Sequence, residues 1–279
     1  MKPSIAIIFY FLLQPAYASL NSIKEIYIQK GNYYVGPVFG VHDYKSHTNV
    51  ELSSYYIMNT EVTYQVYSDT VQWARTHGYA INDGCNGAIY DECRSPELEV
   101  GEQPVTNIGW ADTIVFANAL SEKLGLTPAY TVDGYSILRD NSQHKFQVNN
   151  DADGYRLPTA NEWMVAARGG DTGLNNGTYG NYYSGSNNAE EVAWFPSPDS
   201  DKFGTAPVGK LKANALGIFD MSGNVYEWIY EKETMLGAEM YYFCGGSYLQ
   251  QGSLPSCDIH SAGFTMPDIG FRLVRTAAK

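Results

Sequence analysis

The apolar residues of positions 59–78 recur at helical spacing and predict an amphipathic helix. The residues near this stripe are Val62, Val66, Val71 and Trp73. Asn59 or Thr60 is expected to cap the start of the helix, and Gly78 is expected to end it. A second helix is predicted within residues 106–126, where the same spacing is carried by Trp110, Ile114, Ala117, Leu120 and Leu124.

Strand signals are shorter. The stretch EIYIQKGNYYVG, residues 25–36, alternates between apolar and polar positions and predicts an opening strand followed by a turn. In RLPTANEWMVAARGG, residues 156–170, Pro158 ends a strand and Thr159 with Glu162 forms a T-x-x-E capping box. Trp163, Ala166 and Ala167 then supply the apolar face of a third helix, so we interpret this stretch as a strand-to-helix corner.

Composition places these elements in an irregular fold. The 279 residues include 27 glycines and 23 tyrosines, and long glycine-rich loops separate the predicted helices. A helix bundle does not have this composition. The net charge of −12 argues against nucleic acid or an anionic membrane as a partner, because the chain has no excess of basic groups to neutralise phosphates.

The N-terminal residues predict export. A lysine, an apolar run from Ile5 to Leu13 and the sequence Ala16-Tyr17-Ala18 together form the pattern of a signal peptide over residues 1–18. No later stretch approaches the roughly 20 apolar residues that a membrane span needs. The mature chain, residues 19–279, is therefore expected to be periplasmic or secreted.

Four cysteines in an exported chain are read first as two disulfides, for which three connectivities exist. Cys85 and Cys93 bracket a short polar loop, so the most economical pairing joins them and leaves Cys244 with Cys257. The alternative for Cys244 and Cys257 is a reactive or metal-binding pair of thiols.

Several motifs in a fixed order resemble the sulfatase-modifying-factor family, whose best-known member is the formylglycine-generating enzyme. They are MNTEVTYQVY, QPVTNIGWADTIVFANAL, RLPTANEWMVAARGG, FDMSGNVYEW, CGGSY and IGFRLVR, between about Glu25 and Arg275. The resemblance implies an α+β fold, a modified C-type-lectin-like single domain with little regular secondary structure. It also implies structural calcium.

The expected calcium ligands lie in FDMSGNVYEW. The family's motif places them at Asp220, Gly223, Val225 and Glu227 of this chain. Two carboxylates and two backbone carbonyls suit calcium, which prefers oxygen donors. A turn followed by a strand is the structural alternative for the same residues.

Formylglycine generation is not expected from this resemblance. The family's enzymes use a cysteine pair after GGSY to bind copper, and a gapless alignment puts Gln250 and Pro255 at those positions. Neither side chain supplies the thiolate that Cu(I) prefers. Tyr226 also replaces a tryptophan of the motif. Copper is therefore not expected as a cofactor.

The resemblance further implies a cleft that binds a peptide-like or small-molecule substrate, with His260, Ser247 and Tyr226 as candidate catalytic residues. Three functions follow. The favoured one is a periplasmic maturation enzyme of the pyoverdine-maturation type, an oxidoreductase acting on a peptide-like substrate. The second is a non-catalytic accessory protein on the same scaffold. The third is a divergent formylglycine-generating oxidase. The sequence leaves the oligomeric state open.

Overall fold

The computed structural model describes residues 23–35, 48–94, 102–143, 145–196, 204–254 and 256–277. The signal peptide predicted for residues 1–18 lies outside the described residues.

The helices are α1 Tyr64–Arg75, α2 Trp110–Lys123, α3 Ala160–Arg168, α4 Gly170–Asn176 and α5 Ala189–Val192. The strands are β1 Glu25–Ile28, β2 Gly31–Val35, β3 Thr48–Leu52, β4 Tyr55–Met58, β5 Cys85–Asn86, β6 Ala88–Ile89, β7 Glu92–Cys93, β8 Val105–Thr106, β9 Tyr130–Thr131, β10 Gln147–Val148, β11 Tyr155–Arg156, β12 Tyr226–Met235, β13 Ala238–Cys244, β14 Cys257–Ser261, β15 Ile269–Gly270 and β16 Val274–Thr276.

Two four-stranded sheets organise the described chain. The first has the order β1-β4-β16-β11 and is antiparallel, so strands from both ends of the described chain lie side by side. The second has the order β14-β13-β12-β15, with a long β12–β13 hairpin at its centre and β15 parallel to β12. The strand predicted at the start of the EIYI stretch is confirmed as β1, and the residues after its turn form β2, which pairs with β3.

Helix α1 is confirmed, but the predicted caps at Asn59 and Thr60 are wrong. The N-cap is Thr63, whose side chain accepts the N–H of Val66. The reason is tertiary: the Asn59 N–H donates to the Lys24 carbonyl and the Val62 N–H donates to the Phe271 carbonyl, so the helix begins only after these bonds to other segments. The helix ends at Arg75, and Gly78 follows with a left-handed φ of 78°.

Helix α2 is confirmed with one correction. Trp110, Ile114, Ala117 and Leu120 are buried as predicted, whereas Leu124 lies beyond the last turn and is 39% exposed. Helix α2 is enclosed on most of its surface, because its buried residues also include Asp112, Thr113, Asn118 and Ser121.

The capping box of α3 is confirmed. The Glu162 N–H donates to the Thr159 hydroxyl over 3.2 Å, and the Thr159 N–H donates to the Glu162 carboxylate over 2.9 Å. Arg156 adds a bidentate ion pair to the same carboxylate. Burial opposes ionisation of Glu162, but the charge of Arg156 and the hydrogen bonds outweigh it and hold the pKa of Glu162 below its usual value.

The core has two parts. One packs α1 and α2 against the β12–β13 sheet, and the other packs α3 against the first sheet. Both predicted disulfides, Cys85–Cys93 and Cys244–Cys257, are present. Among the described residues, no helix combines the length and apolar character that crossing a membrane requires.

Candidate functional site

Three polar residues, Tyr226, Ser247 and Asp268, meet where β12, β15 and the loop after β13 converge. The Ser247 hydroxyl donates to the Asp268 carboxylate over 2.7 Å, and the Tyr226 N–H donates to the Asp268 carbonyl over 2.9 Å. All three residues are buried. Burial, followed by the nearby charges of Asp258 and Asp268, raises the pKa of Tyr226 to about 12. Two of the three predicted catalytic residues, Tyr226 and Ser247, are therefore neighbours.

The Ser247 hydroxyl is used to shape a turn. It accepts the N–H groups of Leu249 and Gln250, each over 3.1 Å, while it donates to Asp268. Burial raises the pKa of Asp268 although the Ser247 hydrogen bond opposes the shift. A serine nucleophile needs a base to take its proton. Asp268 accepts the Ser247 hydrogen bond, but its other carboxylate oxygen, Oδ1, has no hydrogen-bond partner among the described residues that would orient it as a base.

His260 does not join this group. It lies on β14 opposite Tyr241, six positions before Ser247 along β13 and its loop. The imidazole stacks on Phe264 with ring centroids 3.3 Å apart, and its Nδ1 accepts the N–H of Ser261. The hydrogen bonds and ring contact described for His260 are thus with Ser261 and Phe264, and none of them joins it to Ser247 or Tyr226.

The cysteines beside the cleft form a disulfide. Cys244 at the end of β13 faces Cys257 at the start of β14, and the two are bonded. Gln250, at the first expected copper position, is exposed in the turn that Ser247 closes. Pro255, at the second position, lies outside the described residues. Within the described part of the chain every cysteine is oxidised.

A second loop covers this region. The Tyr248 hydroxyl donates to the Tyr90 carbonyl, within the loop that the Cys85–Cys93 disulfide closes. The same loop pairs with Gly204 through Ile89. Tyr248 is 1% exposed as a result. Tyr248, the residue after Ser247, is therefore covered by the loop that the Cys85–Cys93 disulfide closes.

The predicted calcium residues have other partners in this structure. Glu227 is fully buried, and the guanidinium of Arg272 binds both of its oxygens over 2.7 Å. Trp163 donates a further hydrogen bond to it over 2.8 Å. Gly223 adopts a φ of 79°, and a Cβ there would lie 2.7 Å from the Trp194 carbonyl oxygen, so packing already requires glycine.

Asp220 is paired differently. Its carboxylate accepts the Gly209 N–H over 2.6 Å and lies beside Glu61, which is also buried. Burial, together with mutual repulsion, raises the pKa of Glu61, and burial raises that of Asp220. Among the described residues, no group of three or more His, Cys, Asp or Glu side chains is arranged to hold a metal ion. The predicted calcium ligand set contains two side-chain carboxylates, those of Asp220 and Glu227, and both oxygens of Glu227 already bind Arg272.

Three residues of this region escaped the sequence analysis: Glu61, Asp268 and Arg272. Each lies within or beside a quoted motif, Glu61 in MNTEVTYQVY and the other two around IGFRLVR. Buried charged residues are rare unless they are paired. Charged residues within or beside these motifs were therefore the signal in the sequence that could have indicated buried, paired side chains.

Known proteins match most of the chain. The family described as sulfatase-modifying factor enzyme 1-like domain, FGE-sulfatase, matches residues 13–277. The chaperone protein LppX of Paenibacillus barcinonensis is 37% identical over 207 residues, which are 67% of this chain and 65% of LppX. Inactive C-alpha-formylglycine-generating enzyme 2 of Mus musculus is 30% identical over 58% of this chain and 53% of that protein. The chain thus spans less than two thirds of both relatives.

Solved structures share the fold. The crystal structure of CarF superposes with a TM-score of 0.85 at 48% identity, covering 92% of this chain and 99% of CarF. PvdO from Pseudomonas aeruginosa superposes with a TM-score of 0.61 at 19% identity, covering 91% and 94%. The likeness to PvdO shows the fold alone. The α+β, modified C-type-lectin-like fold expected from the motifs is confirmed.

Proposed function

We propose a function from the premise that the chain belongs to the sulfatase-modifying factor enzyme 1-like domain family. The chain is an exported accessory protein that binds a polypeptide, and it does not generate formylglycine. The observation that carries this proposal is the Cys244–Cys257 disulfide beside the cleft. A disulfide offers no thiolate, and Gln250 offers only an amide where the family's enzymes hold Cu(I).

The contacts of the candidate catalytic residues also support a non-catalytic role. Ser247 and Asp268 are hydrogen-bonded to each other and to a turn, His260 lies elsewhere on the sheet, and Tyr248 is covered by the Tyr90 loop. Activation of a nucleophile needs a base within hydrogen-bond reach that is itself oriented by a third group. The Ser247 region lacks that arrangement among the described residues.

Two relatives favour the same proposal. LppX is named a chaperone protein, and the mouse relative is named an inactive formylglycine-generating enzyme. Export is supported by the two disulfides, which are typical of oxidising compartments. A maturation enzyme of the pyoverdine type is the alternative, and its support is the shared fold of PvdO.

Two assays on the purified, disulfide-intact protein test the proposal. Incubation with copper and a peptide containing C-x-P-x-R should give no aldehyde product by mass spectrometry, with a formylglycine-generating enzyme as the positive control. The protein should also reduce the light scattering of guanidinium-denatured citrate synthase after dilution, whereas equimolar serum albumin serves as the matched control. Aldehyde formation that Cys257→Ser abolishes would refute the first part, and unchanged scattering would refute the second.

A further inference from the structure

A cavity of about 170 Å³ lies between the start of α2 and the β12–β13 hairpin, away from the Ser247 region. Its lining residues are Trp110, Phe146, Tyr230, Glu231, Lys232 and Tyr241. They come from three separate parts of the chain. Neither the cleft described above nor the family motifs account for the cavity, although Trp110 belongs to one of those motifs.

The aromatic rings of the cavity are held in place. The buried Trp110 donates its indole N–H to the Ile229 carbonyl over 2.9 Å, which fixes the plane of the indole. Ring centroids of Tyr241, Tyr230 and Phe146 lie 3.8, 5.8 and 6.0 Å from that of Trp110. Aromatic faces carry partial negative charge and attract cations within about 6 Å. The wall of the cavity therefore favours a positive group.

The charged groups have the same preference. Lys232 forms an ion pair with Glu239, which also accepts the Tyr241 hydroxyl over 2.9 Å, so the ammonium of Lys232 is already neutralised. Glu231 forms no ion pair with the described residues. Glu231 is thus the carboxylate of the cavity lining, and the ammonium of the lining, that of Lys232, is bound to Glu239 outside it. Burial raises the pKa of Glu231, as expected for a carboxylate without a cationic partner.

We propose that the cavity bounded by Trp110, Tyr230 and Glu231 binds a substituted ammonium group. An anion would face aromatic faces and Glu231, and a neutral apolar group would leave Glu231 partly desolvated without a partner. The volume is below the roughly 300–1,000 Å³ of pockets for drug-sized ligands. The cavity therefore accommodates one side-chain end or one head group, supplied by a lysine of a polypeptide or by a small quaternary amine.

This site does not depend on the proposed accessory role, because its evidence is confined to the cavity. An enzyme of this family with the same residues would bind the same group. The binding experiment below uses small cations and no denatured protein. Failure of the aggregation assay and failure of ammonium binding are thus separate results.

Titration of the full mature protein with two small compounds tests the charge preference. One is the cation tetramethylammonium, and the other is neopentyl alcohol, an uncharged compound with the same branched framework and one added hydroxyl. Chemical shifts of the Trp110 indole N–H should move with tetramethylammonium, with Kd on the order of 1 mM, and the neutral compound should bind at least about fivefold more weakly. Equal binding of the two compounds would overturn the proposal. So would the absence of a shift at about 50 mM tetramethylammonium, which is about 50-fold the expected Kd.

Matched variants locate the charge. Glu231→Gln should weaken tetramethylammonium binding at least about fivefold, since a charge–charge attraction is lost. Glu233→Gln is the control on the same strand, because Glu233 instead accepts the hydroxyl of Tyr242, which packs in the other part of the core. Glu233→Gln should leave Kd unchanged. An unchanged Kd in Glu231→Gln contradicts the site.

Ring variants locate the aromatic contribution and separate the two sources. Tyr230→Leu should weaken binding, and Tyr230→Phe should retain it because the ring face remains. If Tyr230→Leu does not fold by circular dichroism, Tyr230→Phe and Glu231→Gln still decide the question. The Kd of choline is then compared with the Kd of Nα-acetyl-lysine amide, which keeps the charged side-chain ammonium of lysine. Tighter choline binding assigns the site to a small quaternary amine, tighter lysine binding assigns it to a polypeptide, and binding of neither refutes it.

Discussion

Arg272 connects distant parts of the molecule through a guanidinium that is completely buried. It binds the carboxylate of Glu227 on β12, the carbonyl of Met58 on β4 and the carbonyl of Phe219. The two four-stranded sheets are therefore joined through one side chain. Each hydrogen bond compensates part of the cost of removing the charge from water.

Arg272→Met should lower the free energy of unfolding by about 3–5 kcal/mol, because it leaves the Glu227 carboxylate buried without its counter-ion. Urea unfolding measures the change. Arg275→Met is the matched control, since the Arg275–Glu25 pair is partly exposed and its loss should cost about 1 kcal/mol or less. Equal losses of unfolding free energy in the two variants would show that the buried pair contributes no more to stability than the partly exposed pair.

At the scale of the element, the start of α3 shows how local and tertiary contacts combine. Thr159 and Glu162 cap the helix by hydrogen bonds that span three residues. Arg156, at the end of β11, then binds the same Glu162 carboxylate. Tyr55 of β4 adds a hydrogen bond from its hydroxyl to the Glu162 carbonyl over 2.7 Å. The cap therefore also anchors α3 to the first sheet.

The low pKa of Glu162 makes this anchor pH-dependent. Since its folded pKa is below the unfolded value of about 4.3, its contribution is complete above that pH and is lost as the pH falls through the folded pKa. Wild-type protein should therefore exceed Glu162→Gln in free energy of unfolding at pH 7, and the difference should shrink below about pH 4. Urea titrations at several pH values measure it. A difference that grew on acidification would contradict the assigned shift.

At the scale of the whole molecule, the family motifs enclose charged groups that already have partners. The family resemblance predicts calcium at Asp220 and Glu227, yet the Glu227 oxygens bind Arg272. Calcium binding at these residues stays a prediction that the structure does not support.

We expect EDTA to leave the melting temperature unchanged, because Arg272 supplies the positive charge that Glu227 needs. A ligand that binds only the native state raises stability by mass action. A fall in melting temperature with EDTA that calcium reverses, and that is absent in Asp220→Asn, would therefore restore the calcium site. Differential scanning calorimetry with and without added calcium measures both outcomes.

The same scale separates what could be predicted about the site from what could not. The order of motifs predicted the fold. It did not predict that Ser247 would bind Asp268 while His260 lay beside Phe264. The Ser247–Asp268 hydrogen bond joins residues that are 21 positions apart, one after β13 and the other before β15, and no local pattern in the sequence specifies that contact.

The sequence by itself determined the features whose interactions are local. The α3 capping box spans three residues, the helical stripes of α1 and α2 follow from periodicity, and the Cys85–Cys93 disulfide closes a short loop. Such contacts form wherever the chain brings near neighbours together, so spacing alone reveals them.

Only the tertiary structure decided the features that join residues far apart in the chain. Thr63 became the cap of α1 because the carbonyls of Lys24 and Phe271 bind the N–H groups of Asn59 and Val62 that precede it. Arg272 neutralised Glu227, and Trp110 met Tyr230 and Tyr241 to form a cavity. The physical reason is shared: a buried donor, charge or ring needs a partner, and the packing of the sheets and helices decides which partner is within reach.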